Sequence, residues 1–186
     1  MPFVLVCYAT SEGQTAKVAN RIAETLEARG HDVRALAVRD LPADVHVEDF
    51  DAVLVGASIH AGKHQPAIRE FVEANRDALD AKPTAFFQVS LSSADEEGAA
   101  QAAGYVDELV RTTGWHPDRV GFFGGALRYS EYGFLKRFVI KQAVKRSMPD
   151  VTTDHDVEFT DWDEVEAFAG DVAAFVEGRL EENPPS

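Results

Sequence analysis

The sequence predicts an α/β fold of three layers, a doubly wound sandwich with a five-stranded parallel β-sheet between helices. Three observations carry this. Short apolar runs alternate along the chain with stretches whose apolar residues recur at helical spacing. Two of the runs, residues 51–58 and 83–90, are apolar almost throughout, as in strands buried on both faces of a parallel sheet. Finally, three segments that leave strand ends, residues 10–15, 58–62 and 90–93, are each rich in small polar residues. In such sheets ligands bind outside the carboxyl ends of the strands, where strand order reverses.

The first strand is the run Phe3-Val4-Leu5-Val6-Cys7-Tyr8. It leads through Ala9 into Thr10-Ser11-Glu12-Gly13-Gln14-Thr15 and then an amphipathic helix over residues 16–29, with Val18, Ala19, Ile22, Ala23 and Leu26 on one face. A helix N-terminus presents unpaired N–H groups and the positive end of the macrodipole, which together attract a phosphate. Thr10, Ser11 and Thr15 add hydroxyl donors, and Gly13 lets the backbone approach an anion closely. The same residues would also serve an ordinary N-cap. Their position at the first strand-to-helix turn favours the phosphate.

Gly30 stops this helix, and residues 31–38 alternate as a second strand. Residues 51–58 form the third strand, 66–79 a helix, 83–90 the fourth strand, 98–113 a helix and 119–125 the fifth strand. Thr160-Asp161-Trp162-Asp163 opens a last helix in the manner of a capping box. Its apolar face carries Val165, Phe168, Ala169, Val172 and Phe175. One domain spans residues 1–180, with 181–186 a flexible tail.

The 186 residues are 45% hydrophobic, enough for a sizeable core. No apolar run approaches the roughly 20 residues of a membrane-spanning helix, and residues 1–20 lack the pattern of a signal peptide. The one cysteine, Cys7, lies within the first strand and reads as a buried, inert thiol. These features predict a cytoplasmic protein. His60 and His64 stand four apart without a third ligand, so no metal site is predicted, and such a pair is more often two surface residues.

Net charge is −14, from 32 acidic and 18 basic residues, only six of them lysine. That excludes general nucleic-acid binding, which needs a basic face. The acidic surplus fits either adaptation to high salt or an ordinary acidic protein. Residues 119–149 reverse the sign, with a net charge of +6 against −20 for the remainder. Within them Phe134, Leu135, Phe138 and Val139 recur at helical spacing, while Arg137, Lys141 and Lys145 form a stripe at i, i+4, i+8. Arg128, Tyr129, Tyr132 and Lys136 flank it. Basic amphipathic helices with aromatic neighbours lie on anionic membrane surfaces, and arginine also pairs carboxylates bidentately. A solvated helix pairing with the acidic surface around it is the plainer reading. In a chain this acidic, the confined positive island favours a function.

Thr10-Ser11-Glu12-Gly13-Gln14-Thr15 resembles the phosphate loop of the flavodoxins. Gly56-Ala57-Ser58-Ile59-His60-Ala61-Gly62 and Val89-Ser90-Leu91-Ser92-Ser93 are similar to the two loops that flank the flavin ring in that family. Trp115-His116-Pro117-Asp118-Arg119, Gly125-Ala126-Leu127-Arg128-Tyr129 and Phe159-Thr160-Asp161-Trp162 narrow the resemblance to flavodoxin-type, menaquinone-dependent protoporphyrinogen IX dehydrogenases. It runs from about residue 3 to 175.

The resemblance implies a flavodoxin-like sheet in the order 2-1-3-4-5, with a basic insertion over about 126–150, after the fifth strand. It implies FMN, bound without a covalent link, and an FMN-dependent oxidoreductase. Three two-electron oxidations would convert protoporphyrinogen IX to protoporphyrin IX in haem synthesis, with a membrane quinone as acceptor. The protein would touch the inner face of the cell membrane peripherally. Oligomeric state stays open, a homodimer included, and no side chain is assigned as catalytic.

Two departures from ordinary flavodoxins stand out. Glu12 replaces a hydroxyl, so its carboxylate must turn from the phosphate, and Ala61 replaces an aromatic residue. His60, Tyr129 or Tyr132 would then cover the ring. A flavodoxin-type electron carrier, an NAD(P)H:quinone reductase and a binding module that has lost FMN remain alternatives. The absence of a Gly-x-Gly-x-x-Gly fingerprint weighs against the reductase.

Overall fold

The computed structural model describes residues 1–10, 13–60, 63–90, 96–127, 157–158 and 160–184. Strands β1 (Phe3–Ala9), β2 (Asp32–Ala37), β3 (Ala52–His60), β5 (Thr84–Ser90) and β6 (Arg119–Gly124) form one parallel sheet. Its order is β2-β1-β3-β5-β6, and β4 (Lys63–His64) folds back antiparallel on β3. Counting the five parallel strands alone, this is the order 2-1-3-4-5 implied by the resemblance. β3 runs two residues beyond its expected end at Ser58, because its edge is extended by the β4 hairpin.

Side chains of a strand point alternately to opposite faces, and the two cores follow that period. Val4 and Val6 of β1, with Leu54, Phe87, Val89 and Phe123, pack against α1 (Gln14–Ala28) and α5 (Trp162–Glu182). Leu5 and Cys7, with Val53, Val55 and Phe86, face α2 (Pro66–Ala74), α3 (Arg76–Asp80) and α4 (Glu96–Thr113). All seven residues of β5 are buried, which explains its unbroken apolar run. The Cys7 thiol is fully buried 3.6 Å from the Leu54 carbonyl oxygen, and burial pushes its pKa strongly up, so it is inert as expected.

Three expectations need correction. The helix expected over 66–79 is two helices, broken at Asn75, whose side chain donates to the Phe71 carbonyl oxygen (2.9 Å) and so competes with the helical ladder. The cap of α5 is Asp161 rather than Thr160: one Asp161 oxygen accepts from the N–H groups of Asp163 (3.0 Å) and Glu164 (3.3 Å). α5 also continues to Glu182, two residues into the stretch expected as a tail.

The motif at residues 115–119 closes the connection from α4 to β6. Trp115 is fully buried, edge-on to Phe86 at 6.1 Å, and its indole N–H donates to Thr84 Oγ1 (3.3 Å). Asp118 then meets the start of β5 twice: its carboxylate accepts from Thr84 N (2.9 Å) and its N–H donates to Thr84 O (3.0 Å). These contacts make the motif structural.

Candidate functional site

Strand register places the three small-polar segments together. Ala9 pairs with Ala57, Ala57 with Gln88, and Ser58 with Val89, so the carboxyl ends of β1, β3 and β5 lie side by side. Neighbouring strands are about 4.8 Å apart, so three such ends span roughly 10 Å. β2 lies to one side of β1 and β3 to the other, which puts the switch in strand order at this edge.

At the first segment, Gly13 sits at the N-cap of α1 with φ of 87°, a left-handed conformation that costs glycine little. Its N–H donates to Thr10 Oγ1 (2.8 Å), which tightens the turn. The first helical bond runs from Lys17 N to Gly13 O (3.2 Å), so the N–H groups of the first turn precede the helical ladder. No acidic side chain lies in that turn to offset the helix dipole. Thr15, 1% exposed, has its hydroxyl oxygen buried with no hydrogen-bond partner among the described residues. A buried hydroxyl without a partner costs free energy unless something completes it. An oxyanion at the helix N-terminus would do so, and the donor set fits a phosphate.

Gln14, 5% exposed, turns the other way. Its Nε2 donates to Thr160 Oγ1 (2.9 Å), and that hydroxyl donates to the carbonyl oxygen of Gly124 at the end of β6 (2.6 Å). Ser11 and Glu12 lie outside the described residues.

The second segment is a hairpin in which Ile59 pairs with His64 and His60 with Lys63. Gln65 braces it, donating from Nε2 to Ser58 Oγ (2.9 Å) and accepting at Oε1 from Ser58 N (3.4 Å). Ala57 is buried and Ser58 and Ile59 half-buried, while Ala61 and Gly62 lie outside the described residues. His64 is half-buried and held in place: its Nε2 is 2.7 Å from Gln88 Oε1, and its ring meets Phe86 and Tyr105 edge-on. Burial lowers its pKa, against smaller raising effects from the Gln88 bond and the Glu108 charge. Beside it a cleft of about 250 Å³ opens between α2 and α4, lined by Lys63, Gln65, Arg69, Tyr105, Glu108 and others.

At the third segment Ser90 is buried and its carbonyl oxygen accepts from Gly125 N (3.1 Å). Leu91, Ser92 and Ser93 lie outside the described residues. So do Arg128, Tyr129, Tyr132, Lys136, Arg137, Lys141 and Lys145 of the basic segment. The two sides of that segment are nonetheless joined. β7 (Ala126–Leu127) pairs antiparallel with β8 (Val157–Glu158), Ala126 opposite Glu158 and Leu127 opposite Val157. The base also touches α1: Glu158 lies 3.7 Å from Lys17 Nζ.

Sequence reasoning missed Gln65 and Gln88 and read Thr160 only as a helix cap and part of a family motif. The two glutamines have no motif of their own, and only contact across the fold reveals what all three touch. Among the described residues there is no group of three or more His, Cys, Asp or Glu able to hold a metal, and no helix long and apolar enough to cross a membrane.

The flavodoxin domain model matches residues 5–155. A protoporphyrinogen IX dehydrogenase (quinone) of Escherichia coli strain K12 is 33% identical over 170 residues, covering 91% of this chain and 93% of the relative. One from Leishmania major is 33% identical over 175 residues, covering 93% of this chain and 75% of the relative. Among solved structures, a variant flavodoxin of Fusobacterium nucleatum bound to flavin mononucleotide is similar with a TM-score of 0.51 at 13% identity, covering 96% of this chain and 97% of that one. At that identity the likeness speaks to fold alone.

Proposed function

The chain belongs to the flavodoxin family, and on that premise we propose that it is an FMN-dependent oxidoreductase that oxidises protoporphyrinogen IX to protoporphyrin IX and passes the electrons to a quinone. The observation that carries the cofactor assignment is the buried, unpartnered Thr15 hydroxyl at the N-terminus of α1. The relatives' shared name supports the substrate and the acceptor.

Bound FMN supplies the two-electron redox chemistry, and the chain's own residues bind, orient and shield it. Thr15 and the N–H groups of the first turn of α1 hold the phosphate, with Ser11, Glu12 and Gln14 completing the loop. Thr10 accepts from Gly13 N and so tightens the turn, while its O–H remains available to donate to the phosphate. Residues 57–62 and 90–93 border the ring. On the β3 side, Gln65 fixes the Ser58 backbone and donates to its hydroxyl oxygen, which leaves the Ser58 O–H to donate to the ring. His60, Tyr129 or Tyr132 covers the ring in place of the missing aromatic at Ala61.

The segment bearing Arg128, Lys136, Arg137, Lys141 and Lys145 faces an anionic membrane surface or the carboxylates of the porphyrinogen. Its base, β7 and β8, touches α1 beside the phosphate loop, which supports a role near the cofactor.

The test is anaerobic addition of protoporphyrinogen IX and a menaquinone analogue to the FMN-loaded protein. Porphyrin fluorescence rising well above the autoxidation background is expected, and none above it would overturn the enzyme assignment. A stabilised semiquinone without turnover would instead identify an electron carrier, and a colourless protein that takes up no FMN would overturn the cofactor. Membrane contact is tested separately by replacing Lys141 and Lys145 with Glu. Loss of binding to anionic vesicles with FMN retained supports it, and unchanged binding removes it.

A further inference from the structure

We propose that Thr160 is a positioning residue for the phosphate end of the flavin site, holding the first turn of α1 in its anion-binding orientation. Three features converge on its hydroxyl. It donates to the Gly124 carbonyl oxygen at 2.6 Å and accepts from Gln14 Nε2 at 2.9 Å, so it is used in both directions at once. Gln14 is the first residue of α1 and stands between Gly13, whose backbone is left-handed, and Thr15, whose buried hydroxyl lacks a partner. Gly124 ends β6, and the next residue, Gly125, donates to the carbonyl oxygen of Ser90 at the end of β5. A run of contacts therefore connects the phosphate loop, through Thr160, to the start of the third cofactor segment.

The rest of this seam is weaker. Lys17 to Glu158 at 3.7 Å and Arg21 to Glu166 at 3.0 Å are half-exposed ion pairs, of the kind that contribute little. Gln14 is 5% exposed, so its bond to Thr160 is more shielded from water than those ion pairs and helps to set how the turn is rotated. An anion held by N–H groups and a hydroxyl is sensitive to that rotation, because hydrogen bonds weaken steeply as their angles open. Only a hydroxyl provides donor and acceptor together at this size, so valine fills the space without the function and serine retains it.

This inference rests on the phosphate-loop assignment, and the experiment separates the two. Dissociation constants for FMN and for riboflavin, which has the ring without the phosphate, are measured by flavin fluorescence quenching for wild type, Thr160→Val and Thr160→Ser. Apo-protein thermal stability is measured alongside. Thr160→Val should weaken FMN by roughly three- to tenfold, the scale of one hydrogen bond, and leave riboflavin unchanged, with Thr160→Ser restoring the preference. Gln14→Leu breaks the same bond from the other side and should give the same selective loss, which keeps the test open if Thr160→Val fails to fold. An equal loss for both flavins, or a fall in stability with the FMN preference intact, would show a merely structural threonine and overturn the proposal. If wild type itself does not prefer FMN over riboflavin, the phosphate-loop assignment fails first and this proposal with it.

Discussion

The imidazole of His64 on β4 and the side-chain oxygen of Gln88 in the middle of β5 are 2.7 Å apart, and the amide end of Gln88 donates to the Ala102 carbonyl oxygen of α4 at 3.0 Å. Because Gln88 Oε1 can only accept, the proton of this bond sits on His64 Nε2. The pair fastens the β3–β4 hairpin to the buried centre of the sheet.

A pH dependence follows. Burial lowers the folded pKa of His64 below its ordinary 6.5, so the unfolded chain takes the proton first as pH falls. The contribution is therefore complete above about pH 6.5 and is lost as pH drops from there towards the folded value. Urea unfolding between pH 8 and 5 should show this slope, and His64→Leu should flatten it. The same variant should cost about 1–3 kcal/mol at pH 8, where Gln88 loses its partner. Parallel slopes for the two proteins would contradict the argument.

Gly56 on β3 is directly opposite Phe87 on β5, and a methyl group at 56 would run into the Phe87 ring. Phe87 is fully buried and has nowhere to retreat. Gly56→Ala should destabilise by about 1–3 kcal/mol. Adding Phe87→Leu should recover part of that loss, so the double variant is less destabilised than the sum. Strict additivity in denaturant unfolding would rule out the proposed overlap.

Thr15→Val should separate stability from binding. Removing an unpartnered buried hydroxyl stabilises the apo-protein, by up to about 1 kcal/mol. The same change removes a phosphate donor and should weaken FMN by about tenfold. Opposite signs in the melting temperature of the apo-protein and in FMN affinity are the expected result; a loss in both would mean the hydroxyl has a structural partner.

At Gly13 the left-handed φ of 87° makes any side chain costly, by roughly 1–2 kcal/mol, although the space where a Cβ would stand is open. Gly13→Val should thus distort the turn through the backbone and abolish FMN binding. A purified variant that keeps its yellow colour would refute the assignment of this loop.

The net charge of −14 makes self-repulsion a destabilising influence that salt screens. The unfolding midpoint should climb as salt rises from about 0.05 M to 1 M. Indifference over that range would remove the idea of adaptation to high salt.

Much of this fold is legible in the chain because its signals are local. Phe3 to Tyr8, 51–58 and 83–90 are recognisable as buried strands from their apolar runs, and Val18, Ile22 and Leu26 mark the inner face of α1. Gly13 is readable as a point of close backbone approach, while its left-handed φ is a finding of the structure. Local signals also misled. Thr160 has the spacing of a capping residue, yet its hydroxyl is engaged by Gly124 and Gln14, and Asp161 caps α5 instead. His64 has the look of a surface residue until β4 carries it over Gln88.

By itself, the sequence determined the alternation of strands and helices and the acidic character with its basic island, and it marked the first turn as a candidate anion site. Each depends on residues within a turn or two of one another. The tertiary structure alone decided which residues of β1, β3 and β5 stand opposite one another, that the Thr15 hydroxyl has no partner among the described residues, and that Thr160 reaches Gln14. Residues 14 and 160 are 146 apart in the chain, and no local pattern records a contact that only packing creates.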